Sequence, residues 1–470
     1  MRLKKVVSAI ALTSSMMIAA AAQADNQIYT DFPITVDGYK GTATASESYK
    51  GQIARHVLHN SLKKLAAKGN GQPNAELKAE MMAYFNGSKS PLAIIDPASK
   101  DGFPIAQVTV DDLSKGKNLA DKAYKGTITG WPNNMTGAEV LSFMIDKASA
   151  ANKGYDPVNG LDYPQLISKF AMGAVFYNQA VDSYLDEKLA AGTKPNDQPY
   201  KEGAAYTGKE HAWDEAFGYF GAPAHALTLD TATLAKISKQ DADYFSKADY
   251  NQDGKVDLYK EMIFAHASYA ISADSSGKTN YFNSIMQAFI DGRKLITRAD
   301  GKALTDAQRA ELIAYADTIA SNWEKVIAEA TFKYAGEVYE DLQKIQIIVD
   351  ANGNVNKAFK DYSKHWGELK GFSLALQTGR QNLGETATKL NRLIGFSPVL
   401  LGDTQVTGID AQGQYQQSAS ISMTEYKLHM LKVQKLMVDA FGVKARSHDA
   451  LAGMDELAAK LGESKNAEND

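Results

Sequence analysis

From Gly51 onward the apolar residues of this chain recur every three or four positions, the spacing of one face of an α-helix. Ile53, Val57, Leu58, Leu62 and Leu65 make the first such stripe. Comparable faces run over 138–151, 163–189, 231–245, 258–272 and 281–296. Beyond Ala303 they dominate, over 304–348, 357–376, 380–393, 423–440 and 450–461. Ahead of them, Gln27–Glu47 reads as a short extended or irregular lead-in, where Ile34 and Val36 alternate and Gly38 and Gly41 interrupt. Polar, Gly-rich connectors fall at 69–73, 96–103, 192–203, 274–279 and 398–418. The 12 prolines lie nearly all outside the helical stretches, which leaves those stretches free to run long. The pattern predicts an all-α fold of helical bundles behind a short irregular N-terminal segment.

A weak internal repeat refines this. Trp213-Asp214-Glu215-Ala216-Phe217-Gly218-Tyr219 lies over Trp366-Gly367-Glu368-Leu369-Lys370-Gly371-Phe372, sharing Trp-x-Glu-x-x-Gly-aromatic with a His just before it, His211 or His365. The separation leaves room for a bundle in each half, so the expected organisation is two duplicated bundles, 25–275 and 276–470.

The N-terminus changes the picture of where the chain works. Arg2, Lys4 and Lys5 precede an apolar stretch from Val6 to Ala22, closing on Ala22-Gln23-Ala24. That is the tripartite form of a cleaved signal peptide over residues 1–24. No later apolar run approaches a membrane-spanning length, so no transmembrane segment is expected in the mature chain. The expected address is a Gram-negative periplasm, or secretion to the outer surface. The 51 Lys and Arg against 55 Asp and Glu give a formal charge of −4, with no basic surplus for a nucleic-acid partner. With no cysteine, disulfides and thiolate chemistry are excluded.

Two kinds of candidate chemistry remain. On a helix, His211 shares a face with Asp214 and Glu215, and His365 with Glu368. If the two copies converge between the halves, a four-ligand site of two imidazoles and two carboxylates suits iron, zinc or manganese. The alternative is a pair of buried histidines each satisfied by a carboxylate. Separately, Asp249-Tyr250-Asn251-Gln252-Asp253-Gly254-Lys255-Val256-Asp257 matches an EF-hand-type calcium loop. Oxygen side chains stand at loop positions 1, 3, 5 and 9, Gly at 6, and Lys255 offers its carbonyl at 7. Position 12 is Lys260, with the acid, Glu261, one residue late. A helix-capping turn is the plainer alternative. His56 and His59 share a face at i, i+3, though Arg55 and His56 equally fit a solvated edge, and Glu425 with His429 reads as a surface pair. No zinc-protease signature, nucleophile elbow or phosphate loop is present.

Most of the mature chain resembles the bacterial domain of unknown function 4856 family of the imelysin-like superfamily. The resemblance is carried by Tyr49-Lys50-Gly51-Gln52-Ile53-Ala54-Arg55, Phe170–Gln179, His211–Tyr219, Ala288–Arg293 and His365–Phe372. It implies an extracytoplasmic fold of two duplicated helical bundles and a tie to iron or other metal handling. The superfamily hallmark is Gly-x-His-x-x-Glu; here Gly208 stands three residues before His211, and Asp214 precedes Glu215. The leading expectation is therefore an envelope metal- or ligand-binding protein with a structural calcium and an unidentified protein or ligand partner. A calcium-stabilised surface interaction protein is the second reading, and a metallohydrolase the third.

Overall fold

Residues 28–462 are described by the computed structural model, so the signal-peptide reading lies outside the described residues. Within them the chain is 56% helical. The first helices are α1 (Lys50–Ala66), α2 (Ala75–Asn86), α3 (Gly137–Ala150) and α4 (Tyr163–Ala171). α4 continues unbroken into a π-helical stretch, Met172–Tyr184. Then come α5 (Gly208–Phe220), α6 (Thr231–Ile237), α7 (Phe245–Ala248), α8 (Ala265–Asp274) and α9 (Tyr281–Arg298). The 45-residue α10 (Asp306–Asp350) is followed by α11 (Asn356–Ala375), α12 (Gly384–Ile394), α13 (Met423–Phe441) and α14 (Met454–Gly462). Two small antiparallel hairpins complete it: β1 (Tyr155–Asp156) with β2 (Leu161–Asp162), and β3 (Thr404–Ile409) with β4 (Tyr415–Ala419).

The long helices start where the sequence supplies a cap. Thr136 with Glu139, Thr207 with Glu210, Thr305 with Gln308 and Ser422 with Glu425 each close a reciprocal capping box, at α3, α5, α10 and α13. α10 packs on α9, α11 and α13, burying Leu312, Ala316, Ile319, Trp323, Val326 and Ala330 along one stripe. α4 packs on α1, α3 and α11, while its π-helical continuation lies against α5 and α11. The two Trp motifs thus sit on α5 and α11, both packed against that continuous helix. A contiguous cluster of buried apolar side chains runs from Tyr29 to Ala445. α4, from the first half of the chain, is packed on α11 from the second, so this core passes through residues of both.

Four stretches differ from the periodicity. The helix expected over 231–245 stops at Ile237 and resumes only at Phe245, because Gln240 takes a positive φ of 53° and Asp241 caps a new short turn. The helix expected from Leu258 begins at Ala265: Asp257 caps Tyr259 through its side chain, and the chain then extends to bond Gly221 and Ala224. The connector 398–418 holds the β3–β4 hairpin, where only Val406 and Ile409 are buried and alternation is faint. α2 carries charged residues through its middle, and its apolar face is short.

Candidate functional site

On α5 the sequence places three candidate ligands, and the fold separates them. Asp214 is completely buried and spent on structure. Its Oδ1 accepts from Arg293 Nε at 3.0 Å and from the Tyr29 hydroxyl at 3.1 Å, and its Oδ2 accepts from the Ser48 N–H at 3.0 Å. Arg293, on α9, also donates to Glu210 Oε1 at 2.9 Å and to the Ser46 hydroxyl at 2.6 Å. Burial works against its charge, but the carboxylates of Asp214 and Glu210 outweigh that and raise its pKa. His211 faces away from this network. Its Nδ1 meets the Ser48 hydroxyl at 3.0 Å, its Nε2 lies 3.4 Å from Glu215, and it packs against the rings of Tyr200 and Tyr206. His211 and Glu215 are brought together; Asp214 is not part of their set.

The copy on α11 is richer. His365 and Glu368 meet Glu337, projected from α10, with one ligand atom of each lying within 4.8 Å of the others. Asp341, one turn beyond Glu337, accepts from His365 Nδ1 at 2.6 Å, which leaves Nε2 turned toward Glu337 at 3.7 Å. Such a carboxylate behind an imidazole fixes its ring and tautomer. Burial lowers the His365 pKa, but the Asp341 hydrogen bond and the charges of Asp341, Glu337 and Glu368 raise it on balance. A second imidazole, His448, stands on the far side of Glu337, 3.3 Å from Oε1. Two ammonium groups balance the acids: Lys169 Nζ is 3.6 Å from Glu368, and Lys333 Nζ is 3.5 Å from Glu337. Sequence reasoning found His365 and Glu368 and missed Glu337, Asp341 and His448. The four-residue steps Lys333, Glu337, Asp341 inside one long helix were the available signal.

The two copies do not share a site. α5 lies against α1 and α9 while α11 lies against α4 and α10, so their histidines face different partners. What recurs is the local arrangement. Each Trp is fully buried and donates its indole N–H, Trp213 to the Phe289 carbonyl and Trp366 to the Tyr426 hydroxyl, both at 2.8 Å. Each Glu enters a polar cluster, Glu215 with Gln52 at 2.7 Å and Glu368 with Tyr334 at 3.2 Å.

The loop 249–261 is closed by its own carboxylates. Asp249 accepts from the N–H groups of Asp253 and Gly254, and Gly254 takes a φ of 85°. Asn251 and Asp253 each close a turn two residues on, to Asp253 and Lys255. Glu261, although one position late, reaches back across the loop: Oε1 accepts from Asn251 N–H at 3.0 Å and Oε2 from Asp257 N–H at 2.8 Å. Val256 pairs with Ile105 in a short parallel bridge, and Gln107 donates to Asp257, so the loop is braced from outside. Tyr259 N–H donates to Asp257 Oδ1 at 2.9 Å, turning the chain out of the loop.

Arg55, His56 and His59 are buried, not a solvated edge. His429 bonds the Leu393 carbonyl, and Glu425 serves the α13 cap, so these two are not a pair. Burial lowers the pKa of His56 to about 3 and of His59 to about 4, and that of His266 falls well below its ordinary value for the same reason. These groups are depressed on folding, so the stability they confer is complete above the unfolded value of 6.5 and is lost as pH falls toward the folded values. His266 is wholly buried beside Trp323 and Tyr177, and neither ring nitrogen has a hydrogen-bond partner. His266→Phe should therefore raise the urea midpoint, by more at pH 5 than at pH 7. A steeper acid loss in the variant would contradict the assignment.

Among the described residues no helix is long and apolar enough to cross a membrane. No curated protein and no solved structure matches the chain. A family model for a domain of unknown function (DUF4856) does match, over residues 134–393. The match runs from before α3 almost to the end of α12, taking in both Trp motifs, Arg293, the 249–261 loop and the Glu337–His365–Glu368 group. Covering more than half of the sequence, it establishes that the chain belongs to the DUF4856 family.

Proposed function

We propose that this protein is an extracytoplasmic metal-binding protein whose transition-metal site is formed by Glu337, His365 and Glu368. The observation that carries the reading is the convergence of these three ligand atoms within 4.8 Å, with His365 already oriented by Asp341. One imidazole and two carboxylates, partly shielded from water, suit zinc or ferrous iron. His448 is positioned to join the set by a side-chain movement. Metal entry displaces the ammonium groups of Lys169 and Lys333 from the carboxylates and the proton from His365. His211 and Glu215 supply only two ligands and stand outside this site. The extracytoplasmic address rests on the N-terminal sequence.

Elemental analysis of protein purified without chelators or affinity-tag histidines tests this, followed by zinc and ferrous titrations. About one transition-metal equivalent per chain is expected, lost in His365→Ala and Glu337→Gln. Asp341→Asn should weaken binding about 10- to 100-fold while leaving the stoichiometry intact. Wild-type affinity in His365→Ala would sink the reading.

A separate structural calcium in the 249–261 loop, held by Asp249, Asn251, Asp253, the Lys255 carbonyl, Asp257 and Glu261, is supported by Glu261 reaching across from outside the usual position. The same preparations decide it. Calcium should raise the wild-type melting temperature and leave that of Asp249→Ala unmoved; no effect of calcium on wild type would refute the site.

A further inference from the structure

A cavity of about 520 Å³ opens between α1, α4, α6, α8 and α10, next to the Glu337–His365–Glu368 group but not formed by it. Its volume is in the range that holds a small organic molecule. The lining has a consistent chemistry. Four lysines face it, Lys63, Lys169, Lys239 and Lys333, against a single acid, Asp96, which is already paired with Lys64 at 3.5 Å. Lys169 is buried at the inner end, over the rings of Tyr269 and Phe372, with its ammonium 3.6 Å from the carboxylate of Glu368. Lys63 forms no ion pair among the described residues. Hydroxyl groups of Ser268, Ser272 and Tyr269 line the same space, and Met172, Met262 and Ile263 give it an apolar wall.

The physical problem is a surplus of positive charge in a partly enclosed space. Repulsion from Lys169, with burial, pulls the Lys63 pKa down to about 8. Glu368 and Glu337, outside the lining, match Lys169 and Lys333, and Asp96 is paired with Lys64, so Lys63 and Lys239 are the cavity lysines left without a carboxylate at ion-pair distance among the described residues. A further strain lies at the rim: Ala265, which lines the cavity and opens α8, holds a φ of 39°, in the left-handed region that a non-glycine residue rarely adopts.

We infer that this cavity is the binding site of a small organic anion, a carboxylate or phosphate ester whose charged groups meet Lys63 and Lys169 and whose carbon body lies on Met172, Met262 and Ile263. Lys239, exposed at the mouth, draws the anion in, and the serine and tyrosine hydroxyls hydrogen-bond its oxygens. The inference shares Lys169 with the metal reading, since its ammonium lies 3.6 Å from Glu368, but neither Lys63 nor Lys239 forms an ion pair with Glu337, His365 or Glu368, so variants at those two lysines separate the sites.

Calorimetric titration of the purified full chain with citrate, glucose 6-phosphate and glucose tests it. Saturable binding of citrate or glucose 6-phosphate is expected, with the tighter of the two identifying carboxylate or phosphate as the recognised group. Glucose should not bind. Lys63→Gln should weaken the anion by about tenfold or more, the worth of one charge-assisted hydrogen bond. Lys239→Glu, an exposed change that leaves the core untouched, should weaken it and flatten its dependence on salt. Lys357→Gln, on the exposed face of α11, should do neither. Failure of both anions to bind up to about 10 mM, beyond the weak end of ordinary ligand affinities, would overturn the inference. So would unchanged affinity in both Lys63→Gln and Lys239→Glu. Loss of zinc binding with anion binding intact would count against the metal site alone, and the converse against this one alone.

Discussion

Arg293→Met should cost the folded chain about 3–5 kcal/mol, because it leaves two buried carboxylates without their cation. Asp214 and Glu210 are both inaccessible to solvent, and Arg293 lies between them with bonds of 3.0 and 2.9 Å. The guanidinium also holds the Ser46 hydroxyl and Thr297, and its Cζ lies 4.8 Å from the centre of the Phe32 ring. One side chain therefore ties the N-terminal loop, α5 and α9 together. Asp214 keeps its bonds from Tyr29 and Ser48 in the variant, but burial already raises its pKa to about 7 against the pull of Arg293, so without the cation it must take up a proton. The cost is a desolvation penalty more than a lost attraction. Replacing the acids as well, in Arg293→Met with Glu210→Gln and Asp214→Asn, should recover a good part of it. Urea denaturation of the two variants measures both quantities. A loss below about 1 kcal/mol in the single variant would place water or another cation beside the carboxylates.

The same cluster shows what a one-dimensional pattern can and cannot carry. The i, i+3 and i, i+4 steps from His211 put two carboxylates on its face, and that geometry is right for an isolated helix. Which carboxylate turns toward the imidazole is decided by partners far along the chain, since Arg293 stands 79 positions from Asp214. At the other copy the reverse occurs. His365 and Glu368 are visible as a spaced pair, but the group that makes them a three-atom cluster comes from α10, and its placement depends on how α10 and α11 cross. The helices themselves were readable because burial on one face is imposed residue by residue. The misread stretches, 231–245 and 258–272, are those in which a side-chain cap or a backbone bond to a distant loop outcompetes continuation of the helix. His56 shows the same limit. An imidazole next to an arginine looks solvated, and only packing on Phe176 and Phe264 removes it from water.

Gly371→Val should destabilise the protein by about 2–3 kcal/mol and at the same time dismantle the α11 cluster. The glycine of each Trp motif marks a point where two helices approach too closely for a side chain. A β-carbon at Gly371 would lie 2.5 Å from the Lys169 β-carbon on α4, and one at Gly218 would lie 2.7 Å from that of Tyr49, just before α1. Neither neighbour yields by a simple rotamer change, because the clash is with the first carbon of the side chain. The helices must separate, and the helix-propensity gain from replacing glycine, at most about 1 kcal/mol, does not offset that. Gly371 lies one turn from Glu368, and the displaced Lys169 is the ammonium that Glu368 faces. Moving α11 off α4 therefore shifts Glu368 relative to Glu337. Gly218→Val should cost a similar free energy, acting on α5 against α1, while leaving the α11 cluster untouched. Zinc titration of the two variants, each checked for folding by its thermal transition, separates the effects. Affinity should fall at least about tenfold in Gly371→Val and stay at the wild-type value in Gly218→Val. Equal losses in both would mean that affinity follows overall stability and not the position of Glu368.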